Sequence, residues 1–199
     1  MHIFLYGPSG AGKSTVGKAL AAALNLPFLD LDADVEYAAG QSIADIMAGQ
    51  GKRIFRDLET ATLKSAISSP EAVVALGGGA LLRDENRVHV ESAGQVILLE
   101  GDLPTLMARL TQDQSQRPLL AGELQAKLTI LLERRRAHYE SFSLRVDATQ
   151  APEQISWDIQ RLLGRYHLRG MGVGYDVIAQ EGGIDQLGEM LKSRNLVGP

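Results

Sequence analysis

The chain has 199 residues, of which 45% are hydrophobic and 22% are charged, and its formal net charge is -4. This size suits one compact domain with a short appendage, and the negative charge argues against nucleic acid as a partner. The sequence has no cysteine, which excludes disulfides and thiolate metal sites. No segment approaches the roughly 18 to 20 apolar residues of a membrane span, so we expect a cytoplasmic protein without membrane contact.

Short apolar runs alternate along the chain with longer helical patterns, which is typical of βαβ units around a parallel sheet. Strands are predicted over residues 2–6, 27–31, 72–76, 95–99 and 144–146. Helices are predicted over residues 13–24, 42–67 and 105–110, in a charged segment that ends near residue 139, and in a segment around residues 155–163. Glycines at 49 and 51 are expected to break the second helix. The polar segment 111–122 has no periodicity and is predicted to be a long surface loop.

The strongest motif lies between the first predicted strand and the first helix. Residues 7–14 read Gly-Pro-Ser-Gly-Ala-Gly-Lys-Ser and match the phosphate-loop pattern G-x-x-x-x-G-K-[ST]. Backbone N–H groups and the helix N-terminus can surround phosphates, Lys13 can reach the β and γ phosphates, and Ser14 can ligate magnesium. The alternative is a glycine-rich turn without a ligand, but the complete motif in the right context favours binding of ATP and Mg²⁺.

Motors, switches and kinases share this loop, so other residues must identify the acceptor. Asp30 and Asp32 end the second predicted strand, and alternation along a strand would place both carboxylates on one side, at the edge where ligands bind. One carboxylate could hold magnesium-bound water while the other orients a hydroxyl. As an alternative, the two aspartates could simply form a turn.

Further candidate residues are three arginines and a run of glycines. The arginines could hold a carboxylate and phosphates, and the glycines offer bare backbone at a strand end: Arg56, Arg117, Arg135, and Gly77, Gly78 and Gly79. An isolated arginine is more often an exposed surface residue, and three glycines can be a tight strand exit. The ordered combination of motifs is what favours kinase activity.

Over residues 1–165 this combination resembles the shikimate kinase family. The matching motifs, in order, are the phosphate loop, Asp-x-Asp at 30–32, Phe-Arg-x-x-Glu at 55–59, Gly-Gly-Gly at 77–79 and Arg-Pro-Leu-Leu at 117–120. The resemblance implies an α/β P-loop fold of nucleoside-monophosphate-kinase type, in which helices flank a five-stranded parallel sheet and a lid loop covers the site. It also implies ATP-dependent phosphorylation of shikimate to shikimate 3-phosphate in aromatic amino acid biosynthesis.

The resemblance further implies a role for each matching residue. Catalytic roles fall to Lys13, Asp32 and Arg117, the last of these as the lid arginine. ATP would be bound by Gly10, Ala11, Gly12, Lys13, Ser14, Thr15 and Arg117. Shikimate would be bound by Asp32, Arg56, Gly77, Gly78, Gly79 and Arg135. Magnesium would be ligated by Ser14 directly and by Asp30 through water.

The sequence departs from the family pattern in two places. Leu110 stands where the family commonly has an arginine against adenine, with Arg109 beside it. Arg135 is followed by a second arginine, Arg136, rather than by a Pro-Leu-Tyr run, so the two compete for the carboxylate-binding role. The spacing to Tyr139 favours Arg135.

Two other functions remain open from the residues alone. A kinase of another small polyol acid, such as gluconate, would share most of these motifs, although the aspartate pair and the Arg-Pro-Leu-Leu lid favour shikimate. A regulatory ATP-binding module without chemistry would keep Lys13 but would not need Asp32 and Arg117 together.

The C-terminal residues 169–199 are predicted to be a linker and tail outside the kinase domain, which we assign to residues 1–168. Residues 175–178 predict a strand and residues 184–191 a short amphipathic helix. The tail resembles the start of 3-dehydroquinate synthase, which implies a kinase fused to a second enzyme of the same pathway. A plain extension is the alternative. Removing residues 169–199 is expected to leave kinase activity and stability nearly unchanged, whereas a large loss of either would show that the tail belongs to the kinase domain.

Overall fold

A parallel sheet of five strands forms the centre of the protein, whose computed structural model describes residues 1–112, 121–168 and 174–179. In chain order the strands are β1 (His2–Tyr6), β2 (Phe28–Asp30), β3 (Val73–Ala75), β4 (Gly94–Glu100) and β5 (Arg145–Asp147). Their spatial order is β2-β3-β1-β4-β5, and all neighbouring pairs are parallel. The predicted five-stranded parallel sheet is therefore confirmed.

Helices cover both faces of the sheet. They are α1 (Lys13–Leu24), α2 (Leu31–Ala39), α3 (Ile43–Gly49), α4 (Gly51–Ile67), α5 (Asp84–Ala93), α6 (Leu103–Gln112), α7 (Ala121–Glu140) and α8 (Pro152–Leu163). The predicted break between residues 49 and 51 is observed, and Gly51 has a φ of 85°. None of the helices in the described ranges is long and apolar enough to cross a membrane.

The hydrophobic core divides into three clusters. Side chains of β1 alternate, so that Ile3 and Leu5 face α1 and α8, while Phe4 and Tyr6 face the opposite side of the sheet. The third cluster is small and has a centre made of Val35, Ile46 and Phe55. It joins α2, α3 and α4 into a three-helix unit beside the sheet, which we call the acceptor module.

The second strand is shorter than predicted, and this changes the geometry of the two aspartates. β2 ends at Asp30, and Leu31 already begins α2. Asp30 caps the helix, because its Oδ1 accepts a hydrogen bond from the backbone N–H of Ala33 at 3.4 Å. The strand-alternation argument is therefore wrong, since Asp32 lies in the first turn of α2. There the partial positive charge of the helix N-terminus stabilises its carboxylate.

The predicted surface loop is also shorter than residues 111–122. Thr111 and Gln112 belong to α6, and Ala121 and Gly122 belong to α7. Residues 113–120, with the predicted lid arginine Arg117, lie outside the described residues. The lid role of Arg117 therefore stays a prediction.

A two-stranded antiparallel ribbon follows α8 and crosses the predicted boundary at residue 168. It consists of β6 (Arg165–Leu168) and β7 (Tyr175–Ile178), so the strand predicted over residues 175–178 is confirmed. Arg165 joins the ribbon to the domain, because its two Nη atoms donate to the carboxylate of Glu71 at 2.6 and 3.0 Å. Residues 180–199 lie outside the described ranges, so the fusion to a second enzyme stays a prediction.

The ribbon changes what we expect from truncation. A chain that ends at Leu168 loses the partner strand of β6, whereas a chain that ends at Ala179 keeps it, together with the hydrogen bond from the Ala179 N–H to the Gly164 carbonyl at 2.7 Å. If the lost hydrogen bonds contribute about 1–2 kcal/mol in total, the shorter chain should melt roughly 2–8 °C below the longer one. Thermal unfolding of the two proteins measures this. Equal melting temperatures would mean that β7 adds no stability.

Candidate active site

The phosphate loop joins β1 to α1 at the carboxyl edge of the sheet. Gly10 and Gly12 both have a φ of 83°, a conformation that side chains with a Cβ rarely adopt. A Cβ on Gly10 would lie 2.7 Å from the carbonyl oxygen of Leu106, so the loop also has no room for one. The first turn of α1 carries no acidic residue. This end of the helix is therefore free to attract an anion.

Lys13 bends back over the loop. Its Nζ donates to the carbonyl oxygens of Gly7 and Pro8 at 3.0 and 2.9 Å. Burial of the ammonium lowers the pKa of Lys13 to about 8, although the negative charges of Asp32 and Asp30 act in the opposite direction. The lysine thus carries a poorly solvated charge that phosphate oxygens would stabilise.

Ser14 and Asp30 meet beside the loop. The hydroxyl of Ser14, in α1, donates to Oδ2 of Asp30, the last residue of β2, at 2.5 Å. In the described residues no three carboxylates or histidines gather to form a metal cage. Magnesium does not require one, because it is commonly held by one or two protein ligands, several waters and substrate phosphates. A hydroxyl and a carboxylate in contact at a phosphate loop fit that ion.

Asp32 lies close to Gly77 and Glu59. A Cβ on Gly77 would lie 2.6 Å from Oδ1 of Asp32 and 2.8 Å from Oε1 of Glu59. The lack of a side chain at Gly77 therefore leaves room for both carboxylates. Burial raises the pKa of Asp32, and the charge of Lys13 opposes this effect. A carboxylate with a raised pKa is better suited to accept a proton near neutral pH.

Arg56 is fixed by an ion pair within α4. Its Nη1 donates to Oε2 of Glu59 at 2.5 Å, and the Glu59 side chain is fully buried. Burial raises the pKa of Glu59, and the hydrogen bond from Arg56 opposes this effect. A Cβ on Gly79 would lie 2.5 Å from Nη2 of Arg56, so the glycine gives the guanidinium its space. The ion pair therefore holds the guanidinium of Arg56 beside Gly79.

Arg135 approaches the same glycines from α7. Its Nη1 donates to the carbonyl oxygen of Gly78 at 2.5 Å, and the hydroxyl of Tyr139 donates to that oxygen at 3.3 Å. A Cβ on Gly79 would lie 3.3 Å from Nη2 of Arg135. Arg136 is exposed instead. The structure therefore brings Arg135, rather than Arg136, to the glycines.

Gly78 lies directly beside the phosphate loop. A Cβ on Gly78 would lie 3.2 Å from the carbonyl oxygen of Gly7 and 3.6 Å from the backbone nitrogen of Ser9. The contact arises because β1 and β3 are adjacent parallel strands, whose carboxyl ends meet at one edge. A phosphate on the loop and a small molecule held at these glycines would therefore be neighbours.

The departure at position 110 also lies next to the loop. Leu110 approaches Gly10, and Arg109 donates from Nη1 to the carbonyl oxygen of Ala11 at 3.4 Å. Arg109 also donates from Nη2 to the carbonyl oxygen of Gln150 at 3.3 Å. Arg109 thus lies beside the loop, although position 110, where the family pattern has an arginine, holds a leucine.

Most of the predicted site residues lie in the described ranges, and they gather in two adjoining groups. The loop group contains Gly10, Ala11, Gly12, Lys13, Ser14, Thr15 and Asp30. The second group, which we call the acceptor group, contains Asp32, Arg56, Gly77, Gly78, Gly79 and Arg135. The sequence reasoning gave no role to Glu59, although its spacing of three from Arg56 on a helix was a usable signal for an ion pair.

Comparison with known proteins agrees with this arrangement. A family model described as shikimate kinase matches residues 9–164. The chain is 39% identical over 164 residues to a shikimate kinase of Salinibacter ruber, and the alignment covers 78% of this chain and 80% of that protein. The shikimate kinase of Acinetobacter baumannii, solved in complex with shikimate, has a TM-score of 0.75 and 32% identity and covers 81% of this chain and 91% of that one.

A gluconokinase of Sinorhizobium meliloti 1021 has a TM-score of 0.54 and 22% identity, and covers 81% of this chain and 90% of that chain. At that identity the likeness concerns the fold alone. The shikimate kinase match, in contrast, begins inside the phosphate loop and ends at the residue that caps α8, and so includes strands β2 to β5 and both groups of site residues. The chain therefore belongs to the shikimate kinase family.

Proposed function

We propose that the protein transfers the γ-phosphoryl group of ATP to a hydroxyl of shikimate, giving shikimate 3-phosphate and ADP. The observation that carries this proposal is the closeness of Gly78 to the phosphate loop, because it brings the glycines and arginines of the acceptor group next to the nucleotide. Membership of the shikimate kinase family supports the same acceptor.

On the donor side, the backbone of Gly10, Ala11 and Gly12 and the start of α1 would surround the ATP phosphates, with Ser14 and Thr15 at the helix end. Lys13 already points its ammonium along the loop, and it would exchange its carbonyl partners for β and γ oxygens. Its charge would then neutralise the charge that grows on those oxygens during transfer.

Magnesium would be held by the Ser14 hydroxyl directly and by Asp30 through water. When bound, the ion would neutralise phosphate charge and help to align the transferring group. The Ser14 hydroxyl donates to the Asp30 carboxylate, so the two side chains are held together beside the loop.

On the acceptor side, Arg56 and Arg135 would hold the carboxylate of shikimate between them, above the bare backbone of Gly77, Gly78 and Gly79. Asp32 would orient the reacting hydroxyl. Because Glu59 keeps Arg56 in place, less entropy is lost when the acceptor binds.

The reaction itself moves one phosphoryl group and one proton. The acceptor oxygen forms a bond to the γ phosphorus while the bond from that phosphorus to the β–γ bridging oxygen breaks, which releases ADP. The proton of the acceptor hydroxyl passes to the carboxylate of Asp32, whose pKa is raised by burial. The loop arginine Arg117 would complete the charge neutralisation, as the sequence predicts.

A panel of acceptors tests the function. The purified protein with ATP and magnesium should phosphorylate shikimate with a far higher kcat/KM than gluconate, because both arginines would then engage a carboxylate on a rigid ring. Coupled ADP release measures this for each compound. Equal rates with gluconate would support the rival acceptor, and ATP binding without transfer to either compound would support a module without chemistry.

The two neighbouring arginines of α7 provide a matched test of carboxylate binding. Arg135→Ala should raise the KM for shikimate by about 10- to 150-fold, the equivalent of roughly 1.5–3 kcal/mol for a charge-assisted hydrogen bond. Arg136→Ala should leave it unchanged, because that side chain is exposed. The KM for ATP should stay constant in both variants. A larger effect at position 136 would contradict the assignment.

A further inference from the structure

A hydrogen bond close to Gly78 and Arg135 joins residues that are distant in sequence. Tyr6 is the last residue of β1, directly before the phosphate loop, and it is fully buried. Its hydroxyl lies 3.0 Å from Nε2 of His138 on α7. The same hydroxyl donates to the carbonyl oxygen of Gly78 at the limiting distance of 3.5 Å. The two rings meet edge to face, with centroids 5.7 Å apart.

Both side chains are in a form that suits this bond. Burial lowers the pKa of His138, the charges of Arg87 and Arg135 lower it further, and Asp84 acts in the opposite direction. The imidazole is therefore neutral at pH 7, and Nε2 can pair with a hydroxyl in either tautomer, as acceptor or as donor. Burial also raises the pKa of Tyr6, which stays a phenol.

The position of His138 on α7 gives the bond its consequence. His138 follows Arg135 by three residues and so lies on the same side of the helix. The Tyr6–His138 bond thereby ties the turn that carries Arg135 to the strand that leads into the phosphate loop. Arg135 and Tyr139, the residue that follows His138, both donate to the Gly78 carbonyl, which Tyr6 also approaches.

A purely apolar role does not account for Tyr6. Phenylalanine would fill the same volume without placing a hydroxyl in the core, and a buried hydroxyl costs free energy unless it is hydrogen-bonded. With no exposed surface, Tyr6 cannot touch the acceptor itself. Any effect of its hydroxyl on the reaction must act through the residues that it holds.

We propose that the Tyr6–His138 hydrogen bond positions Arg135 and the Gly78 carbonyl, and that it is a determinant of the affinity for the acceptor carboxylate. Tyr6 and His138 are positioning residues on this view. The inference rests on the proposed function, because it assumes that Arg135 binds the carboxylate of shikimate. The hydrogen bond is expected to affect the affinity for the acceptor and to leave the affinity for ATP unchanged.

The test compares Tyr6→Phe, His138→Leu and the double variant with the parent. Each single variant should raise the KM for shikimate by about 3- to 10-fold, the range for one neutral hydrogen bond, while kcat and the KM for ATP stay unchanged. The double variant should be no worse than the poorer single variant, since both changes remove one shared bond. Tyr37→Phe is the matched control, because Tyr37 is 91% exposed.

A conservative variant separates positioning from packing. His138→Gln retains a side-chain donor and acceptor and should recover part of the shikimate affinity that His138→Leu loses. Thermal unfolding identifies any variant that fails to fold. Should Tyr6→Phe not fold, the comparison of His138→Leu with His138→Gln decides the matter alone.

Several outcomes would overturn the inference. They are an unchanged KM for shikimate in both single variants, an equal rise in the KM for ATP, additive effects in the double variant, or no recovery with glutamine. A parent protein that does not phosphorylate shikimate would overturn the proposed function and this inference together. An active parent with insensitive variants would overturn the inference alone.

Discussion

Replacing Lys13 with methionine is expected to abolish phosphoryl transfer, with kcat/KM falling by about 10³-fold or more, the scale for losing a cation that stabilises the transferring phosphoryl group. Methionine keeps the length and most of the volume of lysine but loses the charge. The hydrogen bonds of the ammonium in the described residues go to two loop carbonyls, so its removal should not unfold the domain. Coupled ADP release measures the activity, and thermal unfolding measures the stability.

The matched control is Lys18→Met, which makes the same change on an exposed residue of the same helix. It should retain full activity. Transfer at the parent rate by Lys13→Met would contradict the assignment of the phosphate loop.

Lys13 also predicts a pH dependence of ATP binding. The ammonium has a pKa of about 8 and is nearly fully protonated only well below that pH. Bound phosphates would raise this pKa, since they favour the charged form. ATP affinity should therefore be greatest below pH 8 and fall as the pH rises above it. Titration calorimetry in two buffers above pH 8 should detect proton uptake on binding in the parent and less in Lys13→Met.

Asp32→Asn is expected to lower kcat by about 10²- to 10⁴-fold, the range for a general acid–base group, while ATP affinity changes little. The amide preserves the shape of the side chain and can orient a hydroxyl, but it cannot take up the proton. Burial raises the pKa of Asp32, which means that the charged carboxylate is costly in the folded protein. The substitution should therefore leave the melting temperature unchanged or raise it.

The pH profile distinguishes proton transfer from simple orientation. In the parent, kcat should fall as the pH drops through the raised pKa of Asp32, because the protonated carboxyl cannot act as a base. This acid limb should be absent in Asp32→Asn. Asp34→Asn, in the same turn of α2, is the control and should keep the parent profile. An unchanged kcat in Asp32→Asn would remove Asp32 from the mechanism.

Local patterns predicted the sheet and the phosphate loop well, because both depend on neighbouring residues. The apolar run of residues 2–6 and the glycines that follow it contain nearly all the information needed to form a buried strand and an anion-binding turn. The short ribbon strand at 165–168 was missed, since its four residues have no clear alternation and it pairs with a segment beyond several glycines.

The error at Asp30 and Asp32 shows how a short motif can mislead. An aspartate at the end of a strand is also a good helix cap, and the following Leu-Asp-Ala-Asp-Val-Glu run contains helix-compatible residues. In the structure Asp30 caps α2, and the start of this helix, rather than strand alternation, places the two carboxylates beside their partners. The contact between Tyr6 and His138 could not be predicted in this way, because 132 residues separate them and only the packing of α7 brings them together.

The crowding of the glycine triplet limits how the protein could acquire a new acceptor. At Gly77, Gly78 and Gly79 any added side chain would meet Asp32, the phosphate loop or Arg56, so mutation there would damage donor and acceptor functions at once. The acceptor module has its own small core, and Arg56 lies on α4, one of its three helices. We expect changes of specificity, in evolution or in the laboratory, to arise in this three-helix unit, with the nucleotide-binding strand and loop unaltered.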